Sequence, residues 1–251
     1  MIVIHIDSQQ DTAFLKKTYE GIDGITLLYN PTKKEVEKTL SLRPRESVMM
    51  LGHGSPSGLF SHDWRGYVID YSNAHLLKGR ECIGIWCWAK KFAKNFGLKG
   101  YFTSMFISNE GEAMAYGYGD VKEKDVFNEV ELFSERIHDL IESETPLYEW
   151  VDSLQRVADM SKGFVKYNYN AMEYFDGTQT ADPSPFKGET FGFLTDVEEE
   201  VADADTEDKD EVDMWFEDYC YENGIEGDWA REIAYPIFVA GWNSHKFSEK
   251  K

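Results

Sequence analysis

The chain is poor in cysteine, in basic residues and in long apolar runs, and each shortage excludes a class of protein. Three cysteines, Cys82, Cys87 and Cys220, make no disulfide framework among 251 residues and no paired CxxC ligand set. A reducing, cytoplasmic compartment is the simplest fit to that usage. Only 26 lysines and arginines stand against 46 aspartates and glutamates, a net charge of -20. That field repels phosphate backbones and anionic lipid, so neither nucleic acid nor a membrane surface is expected as a partner, whereas a basic protein is. No apolar run approaches the ~20 residues of a membrane span, and the opening "MIVIHIDSQQ" turns polar too soon for a signal peptide. No internal repeat is visible.

What the chain does have is core. A hydrophobic content of 42%, with 15% aromatic, suffices for one sizeable domain or for a domain with a small appendage. Apolar runs of strand length alternate with segments of helical period along residues 1–108. "MIVIHID", "ITLLYN", "SVMMLG", "ECIGIWC" and "GYFTSMFIS" read as strands. Between the first two, "DTAFLKKTYEG" reads as a helix; between the next two, Pro31 and Thr32 open a helix that turns Val36, Leu40 and Leu42 inward. "GLFSHDWRGYVID" has the look of a loop and small hairpin, "NAHLLKG" of a short helix, and "AKKFAKNFG" of the helix after the fourth strand. This βαβαβ order predicts an α/β fold: an open, mainly parallel sheet flanked by helices on both faces.

Beyond residue 108 the pattern turns helical. Val126, Val130, Phe133, Ile137 and Leu140 form one stripe, and a second helix begins near Thr145 and Pro146. "FVKYNYNAMEYF" is rich in aromatics and matches no single period, and "DGTQTADPSPFKGE" has loop composition. Eleven acidic residues between 196 and 213 read as a solvated linker. The expected division is an α/β domain over 1–190, an acidic linker over 191–213 and a small C-terminal helical appendage over 214–251.

Two residues suggest chemistry. In open parallel sheets, ligands and reactive groups gather beyond the carboxyl ends of the strands, and His53 and Cys87 each fall where a predicted core strand ends. Gly54, next to His53, presents backbone without a Cβ and a free N–H suited to an oxyanion. Cys87 stands before "WAKKFAKNFG", where a helix N-terminus favours thiolate, and Lys90 and Lys91 add positive charge there. The plainer alternative is an inert buried thiol and a turn histidine. Cys82, five residues before Cys87 and so on the other face of the strand, reads as core.

"MMLGHGSPSGL" and, 34 positions after His53, "CIGIWCWA" resemble the pattern of the caspase-like cysteine peptidases, the group of caspases, clostripain, gingipains, separase and CHAT proteins. There, a strand ends in His-Gly, a loop and short helix follow, the next strand ends in the catalytic Cys, and a helix comes after. The resemblance covers residues 1–120. It implies that Cys87 is the nucleophile and His53 the general base or acid, with the backbone N–H groups of Gly54 and Cys87 holding the oxyanion. A basic residue before the scissile bond would suit the acidic chain, with Asp63, Glu110 and Glu112 as candidate substrate-binding carboxylates. Trp86 and Trp88 depart from the small residues that CHAT proteins often carry around the Cys.

Other motifs fail. "GHGSPSG" lacks dinucleotide spacing, and Pro56 stands where a GxSxG elbow needs serine. "DADTEDKDE" lacks the glycine of a calcium loop and has Met214 at its last ligand position. His53, His62 and Cys87 match no familiar zinc spacing, so no metal or other cofactor is expected. The reading is a cysteine endopeptidase acting on a protein or peptide, the alternative an inactive protein-binding module of the same fold with an acidic tail.

Overall fold

The computed structural model describes residues 1–7 and 12–178. The end of the predicted domain at 190, the acidic linker, the appendage and Cys220 lie outside these residues. The described residues fall into two units, one of 1–7, 12–110 and 121–178, the other of 111–120.

The predicted alternation forms a six-stranded sheet. Its strands are β1 (Ile2–His5), β2 (Thr26–Tyr29), β3 (Val48–Leu51), β7 (Glu81–Ile85), β8 (Lys99–Phe102) and β9 (Glu173–Asp176). The spatial order is β2-β1-β3-β7-β8-β9, parallel throughout except for β9, which runs antiparallel to β8. Between β3 and β7 the chain makes a second, three-stranded antiparallel sheet from β4 (Gly54–Ser55), β5 (Gly58–Phe60) and β6 (Tyr67–Ile69).

Side chains alternate across the main sheet, so each strand feeds two cores. One holds Ile2, Ile4, Val48, Met50, Cys82 and Phe102 beneath the helices α1 (Lys33–Leu42) and α2 (Ala89–Phe96). A capping box starts α1: the Thr32 side chain accepts from the Glu35 N–H while Glu35 accepts from the Thr32 N–H. Val36 and Leu40 are buried, but Leu42 is 72% exposed, contrary to the sequence expectation. It lies two positions from Leu40, more than half a turn around the helix, and cannot share its face.

The opposite face is covered by a 3-10 helix, Ala13–Thr18, and by α4 (Glu123–Glu142), α5 (Trp150–Val157) and α6 (Gly163–Asn170). The first was expected as a full helix; it buries only Leu15 and Thr18, too little apolar face to extend it. The stripe on α4 is buried from Val126 to Ile137 and only half-buried at Leu140. The aromatic segment of undecided state becomes α6 followed by β9. Buried Asn168 anchors α6: its amide oxygen accepts from the Ile107 N–H at 2.8 Å and its amide N–H donates to the Ile107 carbonyl at 2.9 Å. A short helix, α3 (Glu110–Ala115), leads into the 111–120 unit. Among the described residues no helix is long and apolar enough to cross a membrane.

Candidate active site

The register of β3 against β7 positions the two residues singled out from the sequence. Leu51 pairs with Ile85, and the Gly52 N–H donates to the Ile85 carbonyl at 3.2 Å, carrying the ladder one step past β3. His53 and Cys87 each lie two residues beyond that last pair, so they leave the same end of the sheet on neighbouring strands. Both are half-buried. Gly52 permits the close fit: its φ is +143°, and a Cβ there would stand 2.7 Å from the carbonyl oxygen of Ile6, just past β1.

His53 enters the small sheet at once. Its carbonyl accepts from the Phe60 N–H at 3.0 Å. In an antiparallel ladder that bond makes the following pair, Gly54 with Leu59, a non-hydrogen-bonded one. The Gly54 N–H therefore points away from β5, off the open edge of the small sheet. Trp86 is 2% exposed, packs on Phe92 and lies under Gly54, donating its indole N–H to the Ser55 carbonyl at 3.2 Å.

Cys87 stands one residue farther from α2 than the sequence suggests. The N-cap is Trp88, held in the left-handed region at φ 70° with no side-chain cap. The first N–H groups of the helix already have acceptors: Ala89 donates to Trp86 O, Lys90 to Thr103 O and Lys91 to Trp88 O, at 3.2, 2.8 and 2.9 Å. What the helix offers the sulfur is thus the field of its macrodipole. The lysines expected to assist have other contacts as well. Lys90 pairs with Glu173 at 3.3 Å, and the Lys91 ammonium lies 4.7 Å from the centroid of the Trp88 ring. Cys82, by contrast, is fully buried against the Leu77 and Arg80 carbonyls, and burial pushes its thiol up to about 12.

The candidate carboxylates stand on different stretches of the chain. Asp63 is exposed on the β5–β6 turn, where it accepts from the Ser61 hydroxyl at 2.6 Å and the Arg65 N–H at 3.3 Å. Those bonds hold its carboxyl below the ordinary aspartate value. Glu110 begins α3 with its N–H donated to Glu123 at 2.9 Å, and Glu112 belongs to the separate 111–120 unit. His62 is exposed. Among the described residues no group of three His, Cys, Asp or Glu side chains converges as metal ligands.

Sequence reasoning passed over two neighbours. Trp64, on the turn after β5, lays its ring against His53 with centroids 5.1 Å apart. Thr103, just past β8, donates its hydroxyl to the Trp86 carbonyl at 2.9 Å and so holds the backbone immediately before Cys87. The only local signal for Trp64 is a large aromatic within the polar turn "SHDWRG". A cavity of about 370 Å³ opens elsewhere, at the amino-terminal edge of the sheet between Glu81, Lys99, Tyr148 and Tyr174, away from His53. No protein-family model matches the chain, and no curated protein matches it.

Proposed function

We propose that the protein is a caspase-like cysteine endopeptidase in which His53 and Cys87 form the catalytic dyad. The observation that carries this reading is the Leu51–Ile85 pairing, which brings the two residues out of adjacent parallel strands at the same level. The chain order around them, strand, His-Gly, short 3-10 helix at Ala74–Leu77, strand, Cys and helix, agrees with the order that the resemblance implies, with a small sheet where it has a loop.

The chemistry follows from the two side chains. The Cys87 thiolate attacks the carbonyl carbon of the peptide, forming a C–S bond and placing the electron pair on the carbonyl oxygen, which the N–H groups of Gly54 and Cys87 hold. Collapse breaks the C–N bond as the His53 imidazolium gives its proton to the leaving amine. Water activated by His53 then hydrolyses the thioester and returns the thiol. A basic residue before the scissile bond suits the net charge of -20.

The test is the rate of iodoacetamide modification at each cysteine, read by peptide mass spectrometry in the native protein and in His53→Ala. Cys87 should label at neutral pH on the order of ten-fold or more faster than buried Cys82, and the His53 change should slow it. Labelling of Cys87 no faster than of Cys82 and Cys220 removes the nucleophile from the proposal and leaves the protein-binding module.

A further inference from the structure

One indole nitrogen beside His53 breaks a rule that two buried indoles obey. Trp86 and Trp150 each donate their N–H to a backbone carbonyl, Ser55 at 3.2 Å and Thr145 at 2.9 Å. The Trp64 side chain is only half-buried, but its Nε1–H is shielded from solvent and has no acceptor among the described residues. Buried indole N–H groups normally find one, because an unmade bond leaves the donor desolvated without compensation.

The backbone adds a second anomaly. Trp64 sits at φ 59°, in the left-handed region that bulky side chains avoid. A braced turn holds it there: the Ser61 N–H donates to the Gly66 carbonyl at 2.8 Å, the Trp64 N–H to the Ser61 carbonyl at 3.1 Å, and the Ser61 hydroxyl to Asp63 at 2.6 Å. The ring packs on Phe60 at 5.3 Å as well as on His53. A phenylalanine or leucine would make those apolar contacts without stranding a donor, so packing alone does not account for an indole at this position.

We propose that the Trp64 Nε1–H is a substrate-binding donor for a main-chain carbonyl of an extended peptide lying across His53. The inference rests on the peptidase reading of His53 and Cys87. A neutral indole donor in a chain of net charge -20 selects a neutral acceptor over a carboxylate or phosphate, and a peptide carbonyl is that acceptor. Distance agrees. An extended peptide advances about 3.3–3.6 Å per residue, so a carbonyl one or two residues from the scissile bond spans the 5.1 Å between the imidazole and indole rings. The carbonyl reaches Nε1 as the indole turns about its side-chain torsions while the braced backbone stays in place.

The experiment compares two reagents that alkylate Cys87 in the full-length protein, the thiolate displacing halide in each. Iodoacetamide offers no peptide backbone; a peptidyl chloromethyl ketone does, taken from a set ending in arginine, lysine, aspartate or leucine. Trp64→Phe should leave the iodoacetamide rate unchanged and slow the best ketone about 3- to 10-fold, the worth of one hydrogen bond. Replacing Trp64 by 3-benzothienylalanine, which keeps the ring outline and substitutes sulfur for N–H, should do the same without disturbing the turn. Equal ketone rates in all three proteins overturn the proposal. So does equal slowing of both reagents, which makes Trp64 a prop for His53 alone. Failure of the underlying reading looks different: wild-type Cys87 then labels no faster than Cys82 with either reagent, and the donor proposal falls with it.

Discussion

Replacing Gly54 by alanine tests the packing beneath the site and the site together. The added methyl would stand 2.1 Å from Cδ1 of Trp86 and 2.5 Å from the Gly58 carbonyl oxygen. Ordinary carbon contacts lie at about 3.5–4.0 Å, so something must move by about 1 Å or more. Trp86 resists: it is 2% exposed, rests on Phe92 and is tied by its indole N–H to Ser55. The Gly58 carbonyl belongs to the hairpin backbone. The hairpin therefore shifts outward and takes His53 with it. Overpacking of this kind costs about 1–3 kcal/mol of folding stability, read as a lower urea midpoint at unchanged m-value. If His53 and Cys87 act together, displacing the imidazole also lowers the thiolate fraction and slows Cys87 alkylation by on the order of ten-fold. Gly66→Ala in the turn between β5 and β6 is the control, since a methyl there meets nothing within 4 Å. A Gly54→Ala protein as stable as wild type, within about 0.5 kcal/mol, would refute the packing argument. One that is destabilised but labels normally would separate His53 from the hairpin.

Three other perturbations follow from the fold. Buried Arg80 donates to four backbone carbonyls, Leu40 at 2.6 Å, Arg43 at 2.6 Å, Leu76 at 2.7 Å and Glu46 at 3.1 Å. Arg80→Met strands them and should lower unfolding free energy by about 3 kcal/mol or more, with Arg80→Lys recovering only part because one ammonium cannot reach all four. His5 is fully buried and neutral, accepting from the Tyr19 hydroxyl at Nδ1 and donating from Nε2 to the Thr12 carbonyl. Burial lowers its pKa from the ordinary value, so the unfolded chain binds the proton first. Stability should accordingly fall as pH drops below about 6.5, and the difference between wild type and His5→Gln across that range isolates the effect; no pH-dependent difference would contradict it. Thr32→Ala removes the capping box of α1 and should lower the urea midpoint by the equivalent of about 1 kcal/mol, an unchanged midpoint showing the box to be idle.

Five of the six strands of the main sheet were legible from their apolar composition. Val48–Leu51 and Glu81–Ile85 are nearly continuous apolar runs, the composition that a parallel sheet covered on both faces demands. The exception is β9, whose residues Glu173–Asp176 turn only Phe175 fully inward. An antiparallel edge strand needs so little apolar surface that its pattern vanishes among neighbouring aromatics. The 3-10 form of Ala13–Thr18 was equally hidden, because its spacing differs little from that of an α-helix over so short a stretch. At the site, glycine beside histidine and a cysteine ending an apolar run were visible as local chemistry. Trp64 was not, since nothing in a polar turn says which way its one large side chain folds.

Sequence alone determined the alternation of strand and helix, the acidic surface and the positions of His53 and Cys87 at strand ends, because each depends on residues within a few positions of one another. Tertiary structure decided the rest. The pairing of Leu51 with Ile85 sets His53 and Cys87 abreast, the left-handed Trp88 holds Cys87 back from α2, and the braced turn lays Trp64 on the imidazole. Each of those depends on backbone register or on contacts between segments that meet only when the sheet is assembled, and no local periodicity encodes them.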